Sequence, residues 1–165
     1  MSRAFVKEDD GQALDDPPLR PPRVQPCYIT RRGFMAFRET LEATQAALAL
    51  AAATSSLGDE AAKKVLSRRV HEITQILQDA VPVDVGHQQG DIVRFGATVE
   101  VVGDDGRDAR YTIVGEDEVA PEQGRISWVS PLGRALIGHR VGDEVEWQRP
   151  DGMRRLEIVS VRFED

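Results

Sequence analysis

The sequence of 165 residues has little of what cross-links a protein or anchors it in a membrane. It contains one cysteine, Cys27, so no disulfide within the chain can hold the fold, which fits a reducing cytosol. No apolar run approaches the ~20 residues that a membrane-spanning helix needs. The first ten residues contain three acids and lack the apolar core of a secretory signal. We therefore expect a cytoplasmic protein that makes no membrane contact.

Basic residues are also fewer than acidic ones. The chain has 21 Lys and Arg residues against 28 Asp and Glu residues, a formal net charge of −7. This balance argues against binding of duplex nucleic acid through a broad basic surface. The negative charge is unevenly distributed along the chain. Residues 1–27 have a net charge of −1, residues 28–80 have +1 and residues 81–165 have −7. A protein or metal partner is therefore favoured, and the three segments differ enough to suggest three structural units.

Familiar catalytic motifs are missing. The sequence has no nucleophile elbow, phosphate-binding loop or dinucleotide-binding glycine pattern. The histidines at positions 71, 87 and 139 lack the paired spacing of a zinc site. Cys27 has no histidine near it in sequence, so a catalytic thiol is not predicted either. These motifs and spacings therefore point to no particular catalytic chemistry.

Residues 1–27 are predicted to form an extended leader. Five prolines fall between Pro17 and Pro26, which forbids a helix and disfavours a central strand. Such a stretch adopts a polyproline-type conformation. It is either a docking motif for an aromatic groove or a plain extended leader.

Residues 28–81 are predicted to form an antiparallel helical hairpin. After Thr30, a plausible N-cap, an apolar stripe at coiled-coil spacing runs through Phe34, Phe37, Leu41 and Leu48, with Thr44 on the same stripe. Capping and turn residues at 54–59 interrupt it. A second stripe follows through Leu66, Val70, Ile73, Leu77 and Ala80, and Pro82 is predicted to end the helix. Each arm has ~20 residues, which makes a rod about 30 Å long.

In residues 90–165 apolar and polar residues alternate with the two-residue period of β-strands. Alternating segments flank the turns at 103–106 and 149–152, which predicts two β-hairpins, and a further strand covers 125–129. Ser130-Pro131 is an N-cap followed by a first-turn proline, so a short helix is expected over 132–137, with Gly138 as its left-handed end. The predicted fold class is α+β: a helical hairpin followed by an antiparallel sheet with one short helix.

Two acidic places are candidate sites. Asp59-Glu60 lies at the turn of the hairpin, where acids either cap a helix N-terminus or act as ligands of a hard cation such as Mg²⁺. Glu116-Asp117-Glu118 follows a predicted strand, and three adjacent carboxylates are expected to form a solvated loop.

Three stretches of the C-terminal part closely resemble the bacterial GreA/GreB transcript-cleavage factors: Tyr111–Glu118, Gly124–Gly138 and Val141–Val145. Tyr28-Ile29-Thr30 before Gly33 is similar to the family's entry into its first helix, and residues 1–10 look like GreB-type members. The resemblance implies a coiled-coil hairpin followed by a C-terminal domain of FKBP-like fold.

The resemblance also implies a partner and a mode of action. In this family the C-terminal domain docks at the rim of the secondary channel of RNA polymerase, and the coiled coil enters that channel. Acids at its tip help to hold a catalytic magnesium ion, and the polymerase's own active site then cleaves backtracked RNA. The chain would thus be a monomeric accessory factor that is not an enzyme, has no cofactor of its own and meets RNA and DNA only within the elongation complex. Ser130, Pro131, Leu132 and Arg134 match the segment that faces the polymerase.

The tip departs from the family pattern. Leu57-Gly58-Asp59 matches, but the second acid of the family is replaced by Ala62, and Lys63 and Lys64 follow. Only Asp59 is carried over as a metal ligand, with Glu60 as a substitute. A GreB-like variant with a shortened coiled coil, a degenerate tip and weak or absent cleavage stimulation is therefore expected. The alternatives are a regulator outside the channel, similar to the family's relatives that regulate nucleoside diphosphate kinase, and a prolyl isomerase suggested by fold analogy.

Overall fold

The computed structural model describes residues 24–53, 59–86 and 88–163. Most of the predicted leader and the central part of the predicted hairpin turn, residues 54–58, lie outside this range. Strand β1 spans Cys27–Thr30, so it begins at the last residue of the predicted leader. Cys27 is buried there and pairs with Ala80.

Helices α1 (Arg31–Ala53) and α2 (Asp59–Asp79) pack together as the predicted hairpin. With 23 and 21 residues, the arms are about 35 and 32 Å long. The predicted stripe of α1 faces α2, but its residues are only half-buried along the rod. Full burial is reached near the base, at Ile73 and Ile76. A single seam of contacts therefore holds the rod, as expected for two isolated helices.

Helix α2 ends earlier than predicted. It stops at Asp79, and Ala80–Val83 forms strand β2, which pairs in parallel with β1. Pro82 therefore lies within a strand, opposite Ile29, rather than just beyond a helix. Four-residue strands have no periodicity that a sequence can reveal, and only the return of α2 to the base of α1 brings these two together. None of the described helices is long and apolar enough to cross a membrane.

The C-terminal part forms a curled sheet of five strands in the order β5-β4-β3-β7-β6. Its strands are β3 (Ala97–Gly103), β4 (Asp108–Val114), β5 (Arg125–Ser127), β6 (Glu144–Arg149) and β7 (Gly152–Phe163). The predicted antiparallel hairpins β3–β4 and β6–β7 are confirmed. Strand β5 adds a parallel pair with β4, so the sheet is mixed.

One short helix covers the sheet, as predicted. Helix α3 spans Pro131–Leu136, and Gly138 after it has φ 90°, the left-handed conformation expected of it. Leu132 and Leu136 of α3 pack into a core built from the inward residues of all the long strands. A shift in the β3–β7 register between Glu100 and Val101 increases the local twist and helps the sheet to curl around this core.

The outer face of the sheet is polar and bonded across strands. Glu100 accepts hydrogen bonds from the Ser160 hydroxyl at 2.7 Å and from Arg110 Nη2 at 2.9 Å. The Ser160 hydrogen bond, followed by that from Arg110, lowers the pKa of Glu100 below its ordinary value. This carboxylate therefore stays ionised at neutral pH and ties β4, β3 and β7 together.

We expect Leu136→Ala to destabilise the sheet domain by about 2–5 kcal/mol, because it removes a fully buried side chain and leaves a cavity between α3 and the sheet. Urea unfolding followed by tryptophan fluorescence measures this cost. The matched control is Val141→Ala, whose side chain is exposed just beyond α3 and whose loss should change stability by less than about 0.5 kcal/mol. Equal losses for the two variants would contradict the placement of α3.

Candidate functional site

The hairpin tip carries the first predicted site. Asp59 is the first residue of α2, and Glu60 follows it with an exposed carboxylate. Glu60 Oε1 accepts a hydrogen bond from Lys63 Nζ at 3.0 Å, one helical turn away. Both partners are in contact with solvent, so this ion pair adds little stability. Its effect is electrostatic, because a cation already occupies one side of the carboxylate.

This geometry does not make a magnesium site by itself. Mg²⁺ is held by carboxylates, water and substrate oxygens in octahedral geometry. The part of the chain that the structure describes contains no group of three or more His, Cys, Asp or Glu residues able to hold a metal ion. Lys63 beside Glu60 disfavours a divalent cation there by repulsion. The side chain of Ala62, two residues after Glu60, offers no ligand.

The second predicted site is the segment that begins helix α3. Ser130 caps this helix: its hydroxyl accepts from the Gly133 amide at 3.0 Å and donates to the Ser127 carbonyl at 2.6 Å. Pro131 occupies the first helical position, where its lack of an amide hydrogen costs nothing. The backbone of this segment is thus held rigidly in place. The Ser130 side chain is already fully used in holding it.

The four predicted docking residues divide into two pairs. Leu132 is 4% exposed and belongs to the core, so its side chain supports the segment from beneath. Ser130 is occupied by capping. Pro131 and Arg134 are exposed, and Arg134 has no ion-pair partner among the described residues. A partner at this surface would therefore meet Pro131 and Arg134.

An aromatic group joins this segment to the base of the hairpin. The ring of Tyr28 on β1 lies edge-on to Trp128 at a centroid distance of 5.3 Å, and it contacts Phe95 at 5.8 Å. Aromatic pairs in such geometries add about 0.5–1.5 kcal/mol beyond their buried area. The end of β5 and the strand that leads into α1 are therefore packed against each other.

The strongest connection between the rod and the sheet domain is Glu118, in the turn Glu116–Glu118 that follows β4. Its side chain is 1% exposed. The carboxylate accepts hydrogen bonds from the Thr30 amide at 2.9 Å, the Thr30 hydroxyl and the Gly115 amide at 3.1 Å. Arg125 Nη2, at 3.1 Å, supplies the compensating positive charge. A carboxylate at the first turn of α1 also suits the positive end of the helix dipole.

Two glycines make room for this arrangement. A Cβ on Gly33 would lie 2.0 Å from Glu118 Oε1, and a Cβ on Gly115 would lie 2.1 Å from the Tyr28 carbonyl oxygen. Neither position tolerates a side chain without movement of the backbone or of Glu118. The close approach of α1 to the sheet domain therefore depends on glycine at both positions.

The prediction that Glu116-Asp117-Glu118 forms a solvated loop is wrong for Glu118. This acid is among the most buried polar residues of the described chain. No local signal could have identified it, because its partner Thr30 lies 88 positions away in sequence. The only related feature of the sequence is the pair Gly33 and Gly115, because glycine permits two segments of backbone to approach closely.

These features define a class of protein: a slender helical rod fixed rigidly to a small sheet domain whose exposed segments are suited to binding. The comparison with known sequences identifies which member of that class it is. Residues 88–163 match the family described as transcription elongation factor, GreA/GreB, C-terminal domain. A GreA of a Methylobacterium species is 37% identical over 151 residues, which is 82% of this chain and 96% of that one. The chain belongs to the GreA/GreB family of transcription elongation factors.

Other relatives match over a shorter span. A GreB of Neisseria meningitidis serogroup B is 46% identical over 99 residues, which is 59% of this chain. The chain spans about three fifths, 61%, of the length of this and other curated relatives that it matches. The crystal structure of GreA factor homolog 1 of Thermus thermophilus superposes with a TM-score of 0.41 at 27% identity, covering 82% of this chain and 97% of that one.

We expect Glu118→Gln to destabilise the protein by about 2–4 kcal/mol, because the amide NH₂ faces hydrogen-bond donors and Arg125 loses its charge partner. Urea unfolding measures the loss. Glu122→Gln, on an exposed residue a few positions further along, is the matched control and should be neutral within about 0.5 kcal/mol. A neutral Glu118→Gln would show that the carboxylate does not hold the junction.

Proposed function

We propose that this chain is an RNA polymerase-binding elongation factor that works through the secondary channel and stimulates transcript cleavage weakly or not at all. Membership of the GreA/GreB family carries the first part of the proposal. The ion pair between Glu60 and Lys63 at the hairpin tip supports the second part, the weak stimulation of cleavage. The factor would act in the cytoplasm as a monomer and meet RNA and DNA only inside the elongation complex.

Docking is assigned to the exposed part of the α3 segment. Pro131 and Arg134 project from a helix that Ser130 caps and Leu132 anchors in the core. A rigid, pre-organised surface loses little entropy when a partner binds, which favours binding. A free guanidinium there is well suited to pair with a carboxylate of the polymerase rim. The acidic excess of residues 81–165 would in addition be attracted to basic polymerase surfaces.

The rod itself is the part that enters the channel. GreA/GreB factors are non-catalytic accessory factors of RNA polymerase, so any hydrolysis belongs to the polymerase active site. In that scheme the tip acids help to hold a magnesium ion and to orient a water molecule. Here Asp59 is the one family acid retained, and Glu60 is paired with Lys63. A single retained family acid is a weak contribution to a site that needs two carboxylates.

The length of the rod supports the same conclusion. The match to the Methylobacterium GreA extends over 151 positions but includes only 82% of this chain, which is about 135 residues. About 16 positions of the relative therefore have no counterpart in this chain. The 99-residue match to the Neisseria GreB includes about 97 residues of this chain and is almost free of such gaps. If both arms of the hairpin share the missing positions, each is shorter by about 8 residues, or ~12 Å. A tip that ends so far short would not reach an ion that a longer hairpin holds.

We expect the full chain to bind core RNA polymerase and to lose at least about tenfold in affinity on Arg134→Glu, because the charge of a proposed contact residue is reversed. Biolayer interferometry with immobilised polymerase measures this. Arg107→Glu is the matched control, since its side chain is 82% exposed in the β3–β4 turn, away from α3. Competition by a full-length Gre factor should displace the chain. Binding that such a factor does not displace would favour a regulator outside the channel.

We expect cleavage of backtracked RNA to proceed at nearly the same rate with and without this factor, and Asp59→Ala to change nothing. A stalled elongation complex with end-labelled RNA, assayed in Mg²⁺, measures the rate. A Gre factor with an intact acidic tip is the positive control. Stimulation equal to that control would overturn the proposed weak cleavage. Loss of a residual stimulation in Asp59→Ala would restore a metal-binding role for that residue.

A further inference from the structure

A cavity of about 220 Å³ lies where the base of the hairpin meets the sheet. Residues from the end of β1, the first turn of α1, the segment after β2, and strands β3, β4 and β5 surround it. They are Thr30, Arg32, Val85, Gly96, Thr98, Thr112, Val114, Gln123 and Arg125. Neither the docking segment nor the hairpin tip takes part in this cavity, so the proposed function does not account for it.

The lining carries positive charge. Arg32 and Arg125 are both among the lining residues, and no Asp or Glu is among them. Arg125 forms an ion pair with Glu118, so the positive charge of Arg125 is already balanced. Arg32 is exposed and forms no ion pair with any described residue. The lining residues therefore include one arginine outside any described ion pair, and Gln123 adds a residue with a side-chain amide.

Two threonines of the lining share one hydrogen bond, so one of their two hydroxyl hydrogens remains without an acceptor among the described residues. Thr98 and Thr112 are cross-strand neighbours whose hydroxyl oxygens lie 3.0 Å apart. Whichever hydroxyl donates in this pair, the other keeps a hydrogen for which the described structure provides no acceptor. Thr98 is 7% exposed and Thr112 is half-buried, so the pair is partly shielded from water. An acceptor inside the cavity would satisfy it.

The first turn of α1 does not explain the site. The Thr30 amide is bonded to Glu118, and the Gly33 amide is bonded to the Thr30 hydroxyl at 3.0 Å. The helix end is thus already satisfied by protein groups. The preference for an acceptor comes from side chains of two strands and from Arg32.

We propose that this cavity binds a phosphate group, either as free phosphate or as the terminal phosphate of a small nucleotide. Guanidinium groups and hydroxyl donors are the groups that recognise phosphate oxygens. The volume is below the roughly 300–1,000 Å³ of sites that enclose drug-sized ligands, so a whole nucleotide would leave its base outside. The bound phosphate would link Arg32 of the rod to Thr112 and Arg125 of the sheet and so stabilise the junction.

Isothermal titration calorimetry of the full chain with sodium phosphate, and separately with AMP, tests the proposal without polymerase. Sodium chloride at equal ionic strength is the baseline. We expect one phosphate to bind and to raise the melting temperature, because a ligand of the folded state stabilises it by mass action. Equal affinity for both ligands identifies the phosphate alone as the recognised group. Tighter binding of AMP identifies a nucleotide as the ligand.

Two matched pairs of variants locate the site. Arg32→Gln should weaken binding about tenfold, the effect of losing one hydrogen bond to a charged group. Arg38→Gln, on another exposed arginine of the same helix, should not change it. Thr112→Val should weaken binding about fivefold, and Thr112→Ser, which keeps the hydroxyl, should restore it. Undetectable phosphate binding by the wild-type chain, or equal binding by Arg32→Gln and Arg38→Gln, would overturn the proposal.

Discussion

The burial of one carboxylate, Glu118, is the constraint on which the rest of the structure depends. A buried charge is tolerated only when hydrogen bonds and an opposite charge replace water, and here Thr30, Gly115 and Arg125 do so. Because Thr30 directly precedes α1, the carboxylate fixes where the rod begins and how it leaves the sheet domain. The rod is held along its length by a seam of half-buried residues, so its direction is determined at the base.

The same junction relates the three surfaces of functional interest. The aromatic contact between Tyr28 and Trp128 connects the base of the rod to the segment that presents Pro131 and Arg134. The cavity at the junction is lined by Arg125, which Glu118 also binds. A docked sheet domain would therefore aim the tip at a defined point. How far the tip then reaches depends on the number of helical turns, and what it can do there depends on a few side chains such as Glu60 and Lys63.

Sequence reasoning predicted elements well where the pattern is local and long. The two arms of the hairpin, both β-hairpins and the capped helix after Ser130 follow from periodicity, turn residues and a cap, which act within a few positions of each other. It failed for strands β1 and β2 and for the parallel placement of β5, because short strands acquire their identity from partners distant in the chain. The acidic pair at the hairpin turn was located from the sequence pattern, and the docking segment was predicted by resemblance. The burial of Leu132 was visible only in three dimensions.

The sequence by itself determined the α+β class and the order of its elements, since these depend on composition and short-range spacing. Tertiary structure decided which acid is buried, which of the four predicted docking residues are exposed and which residues line the cavity at the junction. Glu116 and Glu118 are chemically identical and two positions apart, yet only Glu118 meets Thr30 and Arg125. The free energy of a charge depends on the groups around it, and chain folding alone brings those groups together.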